Sequence, residues 1–277
     1  MIHSRITNYI QVTLRDFLYP LYNLICINKL KTPQKVIFLL SHMRAGSTLC
    51  INLLCTHPEI IGMGESGISY SSVSDFKILR GKIYSRRSKL IVTEKYLLDK
   101  LDNNPDISNP EILLNDNIKC IFLLRDAEST LSSILNKNFI KLVCPKQIES
   151  EKWASYYYQT RLAKLIEYAK IIDNKERSLY FTYEQLIVDT QKIFKALKQF
   201  LDLQDNFSEN YLPLSNKGFF GSVGDPVSEK ITSGSIIRKP TPKILLPQEI
   251  LQKCLESYQS TNATLLKYCR CINENQC

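Results

Sequence analysis

The chain has 277 residues, 44% of them hydrophobic and 23% charged, with a formal net charge of +9. That mixture excludes a low-complexity, collagen-like or disordered chain, and the length allows one large domain or two small ones around a sizeable core. The positive balance favours anionic partners (nucleic acid, acidic membranes, acidic polymers or polyphosphate ligands) without choosing among them.

In residues 1–34, Arg5, Arg15 and Asp16 interrupt the apolar pattern and Pro20 breaks it. The segment lacks the compact apolar core and small-residue cleavage site of a signal peptide. No run in the chain reaches the ~18–20 apolar residues of a membrane span. It is expected to form an amphipathic helix that packs on the domain or makes peripheral contact with a membrane surface. Residues 35–277 are expected to form a single α/β domain.

VIFLLS (36–41) is the continuous apolar run of a strand buried on both faces. It opens into HMRAGST (42–48). TLCINLLC (48–55) then has helical character, ending before His57-Pro58 because proline disfavours helix in the residue ahead of it. EIIGMGES (59–66) predicts a short strand entering a glycine-containing loop, KLIVTEKY (89–96) a third strand and CIFLLRD (120–126) a second central one. AESTLSSILNK (127–137), KWASYYYQTRLAKLIEYAKIID (152–173) and DTQKIFKALKQFLDL (189–203) have helical spacing, the second with Leu162, Leu165, Ile166 and Ala169 on one stripe. SLYFTYEQL (178–186) reads as a fifth strand. Strands alternating with helices predict a three-layer α/β fold, P-loop-like, with a central mostly parallel sheet flanked by helices. Ligands then bind at the carboxyl ends of the strands, on the loops after Leu40, Gly64, Thr93 and Leu124. The stretch 216–243, rich in Gly, Ser, Pro and Lys, reads as a long functional loop.

Most of the nine cysteines sit in apolar surroundings and read as buried thiols of a reducing compartment. The tail YCRCINENQC (268–277) leaves open a disulfide or metal site beside a frayed terminus.

Backbone N–H groups at a tight turn before a helix make an anion site. Gly46 lets the backbone approach, Ser47 and Thr48 offer hydroxyls, and Arg44 offers a planar permanent charge. The loop is not the triphosphate-binding G-x-x-x-x-G-K-[ST], because the first glycine is missing and Ala45 stands at the lysine position. A plain strand–loop–helix connection with a capping serine is the alternative. Arg125 ends a central strand, with Ser133 eight residues on in the next helix, and a salt bridge to Asp126 or Glu128 is the alternative to an anionic ligand. A third basic feature is the pair Arg238-Lys239 in IIRKP.

Together RAGST with the THPEI after its helix, RDAESTLSS, YEQL (183–186) and IIRK resemble, in order, the motifs of the sulfotransferases that use 3′-phosphoadenosine-5′-phosphosulfate (PAPS). The Gly-Glu after the second strand is closest to the bacterial, carbohydrate and protein-tyrosine types. The resemblance implies that RAGST is the 5′-phosphosulfate loop, Arg44 contacting the transferring sulfuryl group and Ala45, Gly46, Ser47 and Thr48 lying along the 5′-phosphate. It implies that Arg125, Ser133, Arg238 and Lys239 hold the 3′-phosphate and that Tyr183 lies near the adenine. Pro240 departs from the glycine that often follows the late motif. The resemblance makes Glu65 the general base and matches Lys95, in TEKY, to a lysine near the reacting centre. His42 is the other base candidate, with a packed or capping histidine as its alternative, and His57 reads as structural.

The donor implied is PAPS, with no metal. The acceptor implied is a hydroxylated small molecule, glycan or peptide, in a pocket shaped by residues 64–89 and 215–235, with no nucleic-acid partner. Without a Golgi-type anchor a cytoplasmic enzyme is expected. Oligomeric state is not legible. Two readings compete: a P-loop kinase of a small molecule, against which the missing lysine argues, and a non-catalytic basic module binding nucleotide or another anion.

Overall fold

A computed structural model describes residues 20–22, 24–214, 231–238 and 245–272. Most of the N-terminal segment, the centre of the long loop and Lys239 therefore lie outside the described residues.

Among the described residues the main sheet has six strands in the order β3-β5-β2-β6-β7-β8, every neighbouring pair parallel. They are β2 (Lys35–Ser41), β3 (Ile60–Gly62), β5 (Tyr96–Leu101), β6 (Ile118–Leu124), β7 (Ser178–Thr182) and β8 (Arg270–Cys271). A separate parallel pair, β1 (Ile27–Asn28) with β4 (Ile91–Val92), ties the segment before β2 to the chain ahead of β5.

The alternation of side chains along β2 divides the core into two layers. Val36, Phe38 and Leu40 face α2 (Asp75–Arg86), α5 (Ser150–Ile172) and α8 (Gln248–Tyr268). Ile37 and Leu39 face the other cluster, built with α1 (Ser47–Leu54), α6 (Tyr183–Val188) and α7 (Thr190–Leu201). The fold is thus α/β, with a central parallel sheet between helices, as the strand–helix alternation predicts. The short helices α3 (Ala127–Ile134) and α4 (Lys137–Val143) follow β6. Leu162, Leu165 and Ala169 of the α5 stripe are buried, and α5 packs along α8, a helix absent from the reading above.

Three expectations are corrected. KLIVTEKY supplies the two residues of β4 and, in its last residue Tyr96, only the start of the sheet strand β5. The sequence YLLDKL conceals it, because its Asp99 and Lys100 are buried charges that each found partners. YEQL opens α6 rather than continuing β7: Thr182 caps it, with Gln185 completing a capping box. The C-terminal tail does not fray at Cys269, since Arg270 and Cys271 add an edge strand to β7. The eight described cysteines are free thiols.

Candidate active site

The carboxyl ends of β2, β5, β6 and β7 converge on the loop between β2 and α1. This loop holds two residues in the left-handed region, Arg44 (φ 65°) and Gly46 (φ 86°). Left-handed backbone is ordinary for glycine and costs a non-glycine residue on the order of 1 kcal/mol. A Cβ on Gly46 would sit 2.2 Å from Cδ2 of Tyr183, so the absence of a side chain lets that ring lie against the loop. Gly46 also stands at the N-cap of α1, whose first N–H groups open toward the loop.

Tyr183, the first residue of α6, also carries the Arg125 guanidinium, 4.5 Å from the ring centroid. Arg125 directly follows β6, is 9% exposed, and donates from Nη1 to the Arg44 carbonyl at 3.0 Å. Asp126, beside it, accepts from Ser129 N–H and so caps α3. Arg44 extends across the same edge. Its Nε donates to Ser133 Oγ at 2.8 Å, and its guanidinium lies 4.8 Å from the Phe139 centroid. Arg44, Gly46, Arg125, Ser133 and Tyr183, scattered over 140 positions, thus form one continuous surface, with Ala45 in the same loop and Ser47 and Thr48 opening α1.

His42 is not free to act as a base. Its Nε2 accepts the Arg125 N–H at 3.2 Å while Nδ1 donates to the Met43 carbonyl at 3.0 Å. Burial pushes its pKa down to about 4, so the neutral ring serves as a strut between the loop and β6. His57, bonded to the Glu59 N–H and the Asp205 carbonyl, is structural too.

Glu65 follows β3 and is exposed, and its carboxylate pairs with the buried ammonium of Lys100. Lys100 also pairs with buried Asp102 at 3.2 Å. Burial alone would lower the Lys100 pKa, but Asp102 and Glu65 outweigh it and hold the lysine charged. Asp99, fully buried on the neighbouring position, binds the Glu65 loop from below by accepting from Ser66 N–H and Oγ and from Tyr70 Oη.

Lys95 is not among the residues gathered here. It precedes β5, at the amino end of the sheet, and pairs with Asp202 at 3.0 Å. The lysine that β5 delivers to the carboxyl edge is Lys100, hidden from sequence reading by the misplaced strand. Arg238 is held toward α6 and α7, donating to the Ile187 carbonyl at 2.8 Å and pairing with Glu209 at 2.8 Å. Sequence reading also missed Tyr157 and Arg161 of α5. Arg161 is fully buried and donates to the carbonyls of Ser41, Leu101 and Asn103 at 2.7–2.9 Å, closing the ends of β2 and β5. Its only signal was a charge on the buried face of a helix.

Among the described residues no group of three or more His, Cys, Asp and Glu side chains is placed to hold a metal ion, and no helix is long and apolar enough to cross a membrane.

Fold and loop together define an α/β protein with a glycine turn opening a helix at the carboxyl edge of a parallel sheet. In fold the chain is similar to the sulfotransferase domain from the curacin biosynthetic pathway, at 16% identity and a TM-score of 0.50, over 83% of this chain and 99% of that one. The sulfotransferase domain of the Synechococcus PCC 7002 olefin synthase is 18% identical, with a TM-score of 0.46 over 83% and 96%. Mouse sulfotransferase SULT7A1, complexed with PAP, is 14% identical, with a TM-score of 0.46 over 68% and 64%. At such identities the likeness is one of fold. No protein-family model matches the chain. No curated protein matches it either.

Proposed function

We propose that the chain transfers a sulfuryl group from PAPS to a hydroxyl or amine acceptor. One observation carries this reading: two arginines, Arg44 and Arg125, meet around a glycine turn at a helix N-terminus, with a tyrosine ring beneath one of them and no lysine of the triphosphate-binding kind in the turn. The motif order in the sequence supports the same reading.

In this scheme the turn and the first N–H groups of α1 receive the 5′-phosphate and Arg125 and Ser133 the 3′-phosphate, with Tyr183 near the base. Arg238 and Lys239 complete the 3′-phosphate contacts, Arg238 by leaving Glu209. The acceptor oxygen forms a bond to sulfur as the bond from sulfur to the bridging oxygen breaks. The electron pair stays on the 5′-phosphate, giving 3′,5′-adenosine bisphosphate. Such a transfer passes through a loose in-line transition state, in which fixed positive charge matters more than covalent participation. Arg44 balances the charge that develops on the bridging oxygen. Ser133 Oγ accepts from Arg44 and keeps its own proton to donate, so one hydroxyl can join Arg44 to a phosphate.

Glu65 takes the acceptor's proton, with Lys100 pairing with its carboxylate and orienting it. Lys100 with Glu65 and Asp102 sums to one negative charge, opposite the two arginines, which suits an uncharged hydroxylated acceptor: a small molecule, glycan or peptide. The protein works in the cytoplasm as one domain, 35–277, with residues 1–34 as an appended segment.

Calorimetry with 3′,5′-adenosine bisphosphate beside ATP–Mg²⁺ tests the reading. Binding of the bisphosphate and not of ATP is expected. The reverse result makes the chain a kinase, and binding of neither leaves a basic module.

A further inference from the structure

Two residues one turn apart on α5, Tyr157 and Arg161, fasten the anion loop to the turn after β5. Tyr157 Oη accepts the N–H of Met43 at 2.7 Å and donates to the Asp102 carbonyl at 2.6 Å. Its ring is stacked on Trp153, at an interplanar angle of 13°. The hydroxyl therefore links the two halves of the site: Met43 precedes Arg44, and Asp102 pairs with Lys100, which pairs with Glu65.

The link has a second consequence. A loop that cradles an anion does so with its unused N–H groups. The Met43 N–H is committed to Tyr157 and the Ala45 N–H to the His42 carbonyl at 3.2 Å, so neither faces an anion. Arg161 bonds the Ser41 and Leu101 carbonyls and fixes the strand ends, but it touches neither Met43 nor Asp102 through the contacts just described. The Tyr157 hydroxyl adds to this frame a direct bridge between Met43, beside Arg44, and Asp102, beside the Lys100–Glu65 pair.

We propose that Tyr157 is a positioning residue, which holds Arg44 and the Lys100–Glu65 pair at the separation that transfer requires. The proposal rests on the sulfuryl-transfer reading. A shift of about 1 Å between reacting groups costs on the order of a hundredfold in rate. Donor affinity depends on the turn, α1, Arg125 and Tyr183, which His42 braces separately.

The test uses the full chain and labelled PAPS, with p-nitrophenol or water as acceptor. Tyr157→Phe keeps the ring on Trp153 and removes the hydroxyl. It should lower kcat tenfold or more while the Kd for 3′,5′-adenosine bisphosphate stays within threefold. Trp153→Leu, which removes the stacked ring and spares the hydroxyl, should keep kcat within threefold. A Tyr157→Phe chain with parental kcat, or with affinity lost in proportion to kcat, overturns the proposal. If Tyr157→Phe does not fold, amide exchange in the parent decides: the Met43 N–H should be the slowest of residues 43–48, and exchange as fast as that of Gly46 overturns the assignment. A parent that binds no bisphosphate and spends no donor overturns the transfer reading itself, and with it the role given to Tyr157.

Discussion

Arg44 Nε and Ser133 Oγ stand 2.8 Å apart, joining the turn after β2 to the helix after β6. In the proposed chemistry this bond connects the sulfuryl end of the donor to its 3′-phosphate end. Arg44→Ala should lower kcat about 10²–10³-fold, the usual loss for one electrostatic stabiliser. The Kd for 3′,5′-adenosine bisphosphate should move less than fivefold. Parallel calorimetry and turnover would show this, and a loss confined to affinity would remove Arg44 from the reacting centre.

Arg125 should read the 3′-phosphate. A hydrogen bond to a charged group contributes about 1.5–3 kcal/mol, so Arg125→Ala should weaken the bisphosphate roughly ten- to hundredfold. Adenosine 5′-phosphate, which lacks the 3′ group, should bind the parent and the variant alike. Equal losses for both nucleotides would contradict the assignment.

Gly46 and Tyr183 should be energetically coupled. Gly46→Ala places a methyl 2.2 Å from the ring in left-handed backbone, and a stability loss of roughly 1–3 kcal/mol is expected. In the Tyr183→Ala background the same substitution should cost only the backbone strain. Urea denaturation of the four chains of the cycle measures the difference, and additive losses would mean that the ring moves aside at no cost.

Lys100 and Lys95 should behave oppositely. Lys100→Met strands the buried Asp102 carboxylate and should destabilise the fold by about 3–5 kcal/mol, as breaking a buried pair does. Lys95 pairs with a fully solvated carboxylate, so Lys95→Met should leave the melting temperature and turnover unchanged. A turnover defect in Lys95→Met with normal folding would restore it to the site.

Asp99 should leave a signature in the pH dependence of stability. Burial raises its pKa from 3.8 to about 6, against the opposing bonds from Ser66 and Tyr70. Between these values the folded chain holds a proton that the unfolded chain has released, so this contribution falls as pH rises through the window and is level above it. The stability difference between parent and Asp99→Asn should therefore decline from about pH 4 to 6 and then flatten. A flat difference across the window would mean that Asp99 is not raised.

Much of the fold was legible because β2 and β6 contain the apolar runs VIFLL and CIFLL and α5 and α7 carry clear helical stripes. β5 was not, because a strand containing Asp99 and Lys100 looks like a surface segment until Ser66, Tyr70, Asp102 and Glu65 are seen around it. The helix α8 was overlooked for a similar reason: its buried residues, Cys254, Thr261 and Leu265, are few and partly polar. The turn into α1 was legible from RAGST alone, since a glycine before a helix and a run of small hydroxyl residues have local physical meaning. Arg125 was legible as a charge at the end of a buried strand.

What the sequence by itself determined are the properties set by near neighbours in the chain: strands from buried apolar runs, helices from spacing, and the turn from Gly46. Only the tertiary structure decided which lysine reaches the carboxyl edge, that His42 is a strut, and that Tyr157 spans the site. Those depend on strand register and on contacts between residues as far apart as Met43 and Tyr157, and a one-position shift along β5 would exchange the faces on which Asp99 and Lys100 lie.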